Sequence, residues 1–226
     1  MACIKMLSIP AFAAAAMHTV PASDPASPKK RGRPLKGAGG NLRAELIEKS
    51  AQLFRERGYD NTTVRDIAAA TGIQAGSWFY HFKTKQEILA AIMEQGVAQS
   101  LAQIEAIAAQ GLPARAMLRQ LVEVHLHTLL APDHHFIPVL LYEARALDEP
   151  SRARIVALKD RYEAVWDEVI ARLHASGEWA LPTRFDRLLM FGALNWTVQW
   201  YKADGGADIA QLADAAMQFI LRTPEP

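Results

Sequence analysis

Apolar positions recur at helical spacing from Leu42 almost to the C-terminus, and no convincing run alternates with the period of two expected of a half-buried strand. The segment "LRAELIEKSAQLFRERG" sets Leu42, Leu46, Ile47, Ser50, Ala51 and Phe54 on one face, with Asn41 as cap and Gly58 as stop. A second, short helix, "VRDIAAATG", is capped by Thr62 or Thr63 and turns Val64, Ile67 and Ala68 inward. Gln74 opens a third, "AGSWFYHF", as a weaker cap than Asp or Ser. A long helix then runs from about Lys85 to Gly111, followed by helical patterns from Pro113 to Leu130, Phe136 to Leu147, Ser151 to Ala175, Thr183 to Tyr201 and Ile209 to Leu221. The pattern predicts an all-α protein. Two short helices joined by a tight turn at Gly72 form a helix-turn-helix, and the helix before them completes a three-helix unit.

The first 40 residues break the pattern. "PASDPASPKKRGRPLKGAGG", Pro21 to Gly40, is too rich in Pro, Ser, Gly, Lys and Arg to bury a core, and reads as a flexible arm. Ahead of it, Lys5 and the apolar run from Met6 to Met17 imitate a secretory signal, though the run is too short to cross a bilayer. DNA-binding features downstream favour an unstructured leader, or a start codon placed too far upstream. The expected division is a leader and arm over 1–40, a helix-turn-helix domain over 41–86, and a second helical domain over 87–226.

Charge sharpens this division. The formal net charge of the 226 residues is +1, but Lys29 to Lys85 holds 12 Lys/Arg against 5 Asp/Glu, while the remainder holds 13 against 19. A basic N-terminal third on a mildly acidic body points to a polyanionic partner for one part only. The single cysteine, Cys3, excludes an intrachain disulfide and a cysteine-based zinc site, and agrees with a cytoplasmic location.

Trp78, Phe79, Tyr80, His81 and Phe82 stand in a row at the end of the third helix. A helix this short is marginal alone and needs anchoring by large side chains. Phe79 and Phe82 are expected in the three-helix core, with Trp78, Tyr80 and His81 nearer DNA and their polar tips toward phosphate. In the arm, "KKRGRPLK" holds an Arg-Gly-Arg-Pro core that resembles an AT-hook, with Arg31 and Arg33 suited to a narrow A·T-rich minor groove.

From Gly58 to Leu89 the chain resembles the N-terminal domain of TetR-family transcriptional repressors. The resemblance is carried by Gly58-Tyr59, Thr63 with Ile67-Ala68, Gly72-Ile73, Gly76, Phe79, His81-Phe82 and Lys85. It implies an all-helical two-domain homodimer that binds palindromic operator DNA and is released by a small ligand. Carried over to this chain, Thr62 and Thr63 touch phosphate. Gln74, Ala75, Ser77 and Trp78 face base edges in the major groove, where Gln suits adenine and Ala a thymine methyl. Lys85 binds phosphate at a helix N-terminus, with Tyr80 and His81 as further phosphate contacts. The family usually has Tyr where this chain has Phe79, and often Ser or Thr in place of Gln74.

The body resembles, less strongly, a TetR subgroup that includes repressors of fatty-acid and steroid catabolism, through "LYEARALDEPSRARIVALKDRYEAVWDEVI" and "LLMFGALNWTVQWYKADGG". That resemblance implies an apolar, acidic effector such as an acyl-CoA. Trp166, Phe191, Trp196, Trp200 and Met190 are the expected apolar lining, and Arg145, Arg152, Arg154, Lys159 and Arg161 the expected partners of an anionic head. The same residue types also serve as ordinary core and solvated face. The last two helices carry the apolar surface for a dimer. No cofactor and no metal are expected, although His125, His127, His134 and His135 cluster in sequence around Asp133. A His-based metal hydrolase is one rival reading. An architectural DNA binder that responds to no ligand is another.

Overall fold

The computed structural model describes residues 39–131, 136–179 and 185–221. Among them every regular element is helical. Helix α1 spans Gly39–Arg57, α2 Val64–Ala70, α3 Ala75–Trp78, α4 Lys85–Ala108 and α5 Ala114–Leu130. They are followed by α6, Phe136–Glu143, with a 3-10 turn at Ala144–Ala146, and by α7, Glu149–Ala175. Helix α8, Asp186–Trp196, runs into a 3-10 turn at Thr197–Gln199 before α9, Ile209–Ile220.

The starts of these helices are written in the sequence. Thr63 and Asp66 form a reciprocal capping box at α2, and Asp208 and Gln211 do the same at α9. Thr84 caps α4 and Asp148 caps α7, each accepting from the backbone N–H three residues on. Gly58 ends α1 at a φ of 81°, and Gly72 turns the chain between α2 and α3 at a φ of 67°. Both lie in the left-handed region, which costs glycine little. Two expected boundaries move. Helix α1 begins at Gly39, so Asn41 lies inside it and is not its cap. Helix α3 is a single turn rather than two: Gln74 provides no side-chain cap, and the backbone tightens after Trp78.

Two apolar clusters organise the packing. The first joins Leu46, Phe54, Ile67, Trp78 and Phe82 to Ile88, Leu89 and Met93 of α4. It also takes in Val139, Leu140, Leu147 and Ile155, so the three-helix head shares its core with α6 and the start of α7. The second surrounds Leu118, Leu121, Val122, Trp166, Leu173 and Leu194, with Ala213 and Met217 from α9. Helix α4 contributes to both clusters and packs along α7, while α5 packs on α7 and α9. No helix among the described residues is long and apolar enough to cross a membrane.

Candidate functional site

The reading head is held from the inside. Trp78 is fully buried, and its ring stands 5.6 Å from that of Phe82 with a tilt of 43°. The N–H groups of His81 and Phe82 both donate to Trp78 O, at 2.9 and 3.1 Å. This wraps the chain so that residues 78 and 82, four apart, share the core face. Phe79 falls outside that face and is 63% exposed. Two expectations are therefore corrected: Trp78 is the anchor and does not face DNA, and Phe79 is at the surface rather than in the core. Gln74, Ala75 and Gly76 are exposed at the start of α3, Ser77 is half-buried, and Tyr80 is 90% exposed. His81 is half-buried beside them.

Thr62 and Thr63 part company. Thr62 is fully buried, and its hydroxyl donates to Gly58 O at 2.9 Å, closing the α1–α2 connection. It is structural, which corrects its expected phosphate contact. Thr63 is exposed, and its hydroxyl and N–H both donate to Asp66 Oδ2, at 2.5 and 2.7 Å. These bonds hold the Asp66 carboxyl below its ordinary pKa. Lys85 also turns inward: its Nζ donates to Tyr59 O and Thr62 O at 2.7 and 2.9 Å and lies 4.1 Å from the Tyr59 ring centre. With two protons spent on carbonyls, the ammonium has one left to donate. Arg31 and Arg33 lie outside the described residues.

Two bonds missed by the sequence reading tie the head to the body. The backbone N–H of Tyr59 donates to Glu143 Oε1 at 3.0 Å, and Gln86 Nε2 donates to Ala146 O at 2.6 Å. Nothing in the local sequence marks Glu143 for this role, because its partner is a backbone group 84 residues away.

In the body, Trp166 and Phe191 do meet, with ring centres 5.1 Å apart, edge to face. Between them lies a residue missed as a member of the site, His125. It stacks on Phe191 at 5.4 Å and 17°. Its Nδ1 is 2.9 Å from the Tyr162 hydroxyl and its Nε2 3.0 Å from Asn195 Oδ1. Oδ1 only accepts, so Nε2 carries the proton and Tyr162 donates to Nδ1. Burial lowers the His125 pKa to about 4 and raises that of Tyr162. The Trp166 indole N–H is buried without a hydrogen bond of good geometry, although it lies close enough to the Tyr162 hydroxyl to act on it. The signal was legible: Met117, Leu118, Leu121, Val122, His125, Leu126 and Leu129 form one buried stripe on α5.

The other expected ligand contacts stand elsewhere. Trp196 and Trp200 are 52% and 54% exposed and point out of the core. Arg145 is exposed on the 3-10 turn after α6, beside the first cluster rather than the one that holds Trp166. Arg154 and Arg161 are paired with Glu94 and Glu105 across to α4, at 2.6 and 2.7 Å. Arg152 and Lys159 have Glu149 and Glu163 on their own helix, at 3.6 and 3.9 Å. Arg154 and Arg161 fit the solvated-face reading, whereas the Arg152 and Lys159 side chains are 26% and 25% exposed and Arg152 also donates to Leu147 O at 3.1 Å. His127 is exposed, on a different face from His125. His134, His135 and Asp133 lie outside the described residues, among which no three His, Cys, Asp or Glu side chains gather to hold a metal.

Comparison with known proteins decides the family. The model for "Bacterial regulatory proteins, tetR family" matches residues 46–92, and that for "Tetracyclin repressor-like, C-terminal domain" matches residues 111–223. The chain belongs to the TetR family. It is a helix-turn-helix DNA-binding transcriptional regulator of the repressor type, not an enzyme. Among TetR-family relatives it is similar to the fatty acid metabolism regulator protein of Bacillus subtilis, 25% identical over 180 residues, which span 78% of this chain and 92% of that protein. It is likewise similar to the transcriptional repressor KstR2 of Rhodococcus jostii, 29% identical over 184 residues, or 79% and 89% of the two chains. The crystal structure of AibR in complex with isovaleryl coenzyme A and operator DNA shares its fold, with a TM-score of 0.73 at 23% identity over 80% of this chain and 98% of that one.

Proposed function

We propose that this TetR-family regulator binds a palindromic operator as a homodimer and releases it when an apolar, acyl-CoA-type effector enters the body. The observation that carries the DNA side is the exposed start of α3, Gln74 to Ser77, pinned to a rigid head by the buried Trp78. In this reading Gln74, Ala75 and Ser77 meet base edges, while Thr63, Tyr80 and His81, with the third proton of Lys85, meet phosphates. Arg31 and Arg33 of the arm enter an adjoining A·T-rich minor groove. Residues 41–86 read DNA and residues 87–226 sense the effector and dimerise. The work is done where the chromosome is, in the cytoplasm.

The effector side rests on the core around Trp166, Phe191, His125, Tyr162 and Asn195. An aromatic wall suits an acyl chain, and the Trp166 N–H, which makes no well-formed hydrogen bond, is a donor for a thioester carbonyl. The name of the Bacillus subtilis relative and the isovaleryl coenzyme A bound by AibR make acyl-CoA thioesters the first compounds to test. An effector that favours a conformation with differently spaced reading heads shifts the population off DNA, and operator DNA weakens effector binding by the same factor.

Electrophoretic mobility shifts on DNA from the protein's own promoter test both sides. The expected result is a specific complex, dissolved by an acyl-CoA of short to medium chain and not by free coenzyme A. No preference over random fragments overturns the operator reading. A specific complex that ignores every acyl-CoA overturns the effector class alone.

A further inference from the structure

A cavity of about 240 Å³ opens where α1 crosses α4, close to the ends of α5 and α6. Its origin is a stripe on α4: Ile92, Gln95, Gly96, Gln99, Ser100 and Gln103 recur at steps of three and four, and all line it. Gly96 and Ser100 are small, and Ala44 and Ala51 face them from α1, so the helices leave a gap. The Phe136 ring closes one end, packed so tightly on Gly96 that a Cβ there would collide with it. Neither Trp166 nor His125 is among its lining residues, and no family relationship or sequence motif above assigns it.

The lining divides by depth. Ser100 and Thr128 are buried beside the apolar Ile47 and Ile92, while Glu48, Gln95, Gln99 and Gln103 are exposed at the mouth. The Ser100 hydroxyl donates its proton to Gly96 O at 3.0 Å, and Thr128 donates its own to Val124 O at 2.8 Å. Each therefore offers only acceptor lone pairs to the cavity, and among the described residues none donates to them. The mouth carries the Glu48 carboxylate and three amides. No lysine, arginine or histidine is among the described residues that line it. The site is therefore anionic at the rim, short of donors on the floor and apolar between.

We infer that this cavity is a second ligand site, built for a short aliphatic amine that carries another hydrogen-bond donor at its far end. The ammonium sits at the mouth against Glu48, where water still solvates it and full burial of the charge is avoided. The chain passes Ile47 and Ile92, and the far donor reaches Ser100 and Thr128. Its size is below the ~300–1,000 Å³ of sites for drug-sized ligands, which restricts it to a small molecule. With no cation among its described lining residues, it disfavours phosphates and carboxylates, including the nucleotide of a coenzyme A. Because one wall is α1 and the others belong to the body, a bound molecule wedges head against body.

Saturation-transfer NMR on the full chain, without DNA or acyl-CoA, tests this separately from the operator and effector readings. The probes are 4-aminobutan-1-ol, n-butylamine and butan-1-ol at equal ionic strength. 4-Aminobutan-1-ol is expected to bind tightest, with about threefold to tenfold lost for each missing polar end. Glu48→Gln should erase the advantage of the amino alcohol over butan-1-ol, and Thr128→Val its advantage over n-butylamine. If Thr128→Val does not fold, Ser100→Ala answers the same question. Absence of transfer from all three probes overturns the proposal, and so does an affinity order that these substitutions leave unchanged.

Discussion

The N–H of Tyr59 donates to Oε1 of Glu143 at 3.0 Å, joining the turn after α1 to the last residue of α6. Since Lys85 grips Tyr59 O from the other side, the aromatic residue of the Gly58-Tyr59 pair is clasped by both head and body. Any movement of α6 is therefore felt at the turn that leads into the reading helices. Glu143→Ala removes a charged acceptor from a partly buried N–H and should cost ~1–3 kcal/mol of stability. Amide hydrogen exchange should show Tyr59 losing protection more than the core of α4 does. Operator binding should weaken, and the response to effector should be blunted further. Unchanged protection at Tyr59 rules the clasp out.

Trp78 and Phe79 should behave as opposites although they are neighbours. Trp78→Ala empties the centre of the head and should destabilise it by ~3–5 kcal/mol. Phe79→Ala deletes an exposed ring and should move stability by less than ~0.5 kcal/mol. On operator DNA Phe79→Ala is expected to fold but lose affinity, because its exposed ring lies just past Gln74 to Ser77, the segment proposed to meet base edges. Chemical denaturation and mobility shifts on the same preparations separate the two effects. A Trp78→Ala protein as stable as wild type would remove the anchor role.

His125 makes the fold sensitive to acid. Its pKa falls from 6.5 to about 4 on folding, driven mainly by burial, so the neutral ring is the folded form. The unfolded chain then binds one more proton than the folded one between those values. Stability from this residue is complete above pH 6.5, falls as pH drops toward 4, and levels below that. The slope should approach ~1.4 kcal/mol per pH unit within the window. His125→Gln should flatten it, at some cost in packing against Phe191. Denaturant midpoints measured from pH 4 to 8 check the sign, and a midpoint that rises on acidification refutes the buried neutral ring.

Much of this was legible in the sequence, and the failures have physical causes. Helix count and the helix-turn-helix followed from local spacing, but of the caps expected only Thr63 holds, Asn41 and Gln74 do not, and Thr84, Asp148 and Asp208 cap their helices without having been singled out. The aromatic row did not resolve itself. Adjacent rings differ by about 100° around a helix, and which one faces inward depends on where the helix stops, here one turn earlier than the pattern suggests. Thr62 and Thr63 are equivalent as letters, and only the packing of the turn buries one of them. Trp196 and Trp200 carry the same apolar signal as Trp166, since hydrophobicity does not say whether a residue is covered by its own chain or by another.

That last ambiguity leads to the dimer. Leu189, Trp196 and Trp200 from the α8 segment and Phe219 from α9 are 69%, 52%, 54% and 59% exposed. Large apolar side chains left exposed on these consecutive elements are the surface through which the proposed homodimer would associate. In the proposed homodimer a second copy presenting the same helices would make a self-complementary contact, and its symmetry would place two α3 helices for two half-sites. Leu189→Glu and Phe219→Asp each put a charge where the partner's apolar surface must fit, without touching either buried cluster. Sedimentation equilibrium should show a dimer for the wild type and a monomer for the double variant, whose circular dichroism stays helical. The monomer loses the simultaneous grip of two heads, so its operator affinity should fall by roughly 10²-fold or more, while a single half-site binds as weakly as before. A double variant that remains dimeric moves the interface elsewhere on the molecule, and one that is monomeric yet binds the full operator undiminished removes the need for a pair.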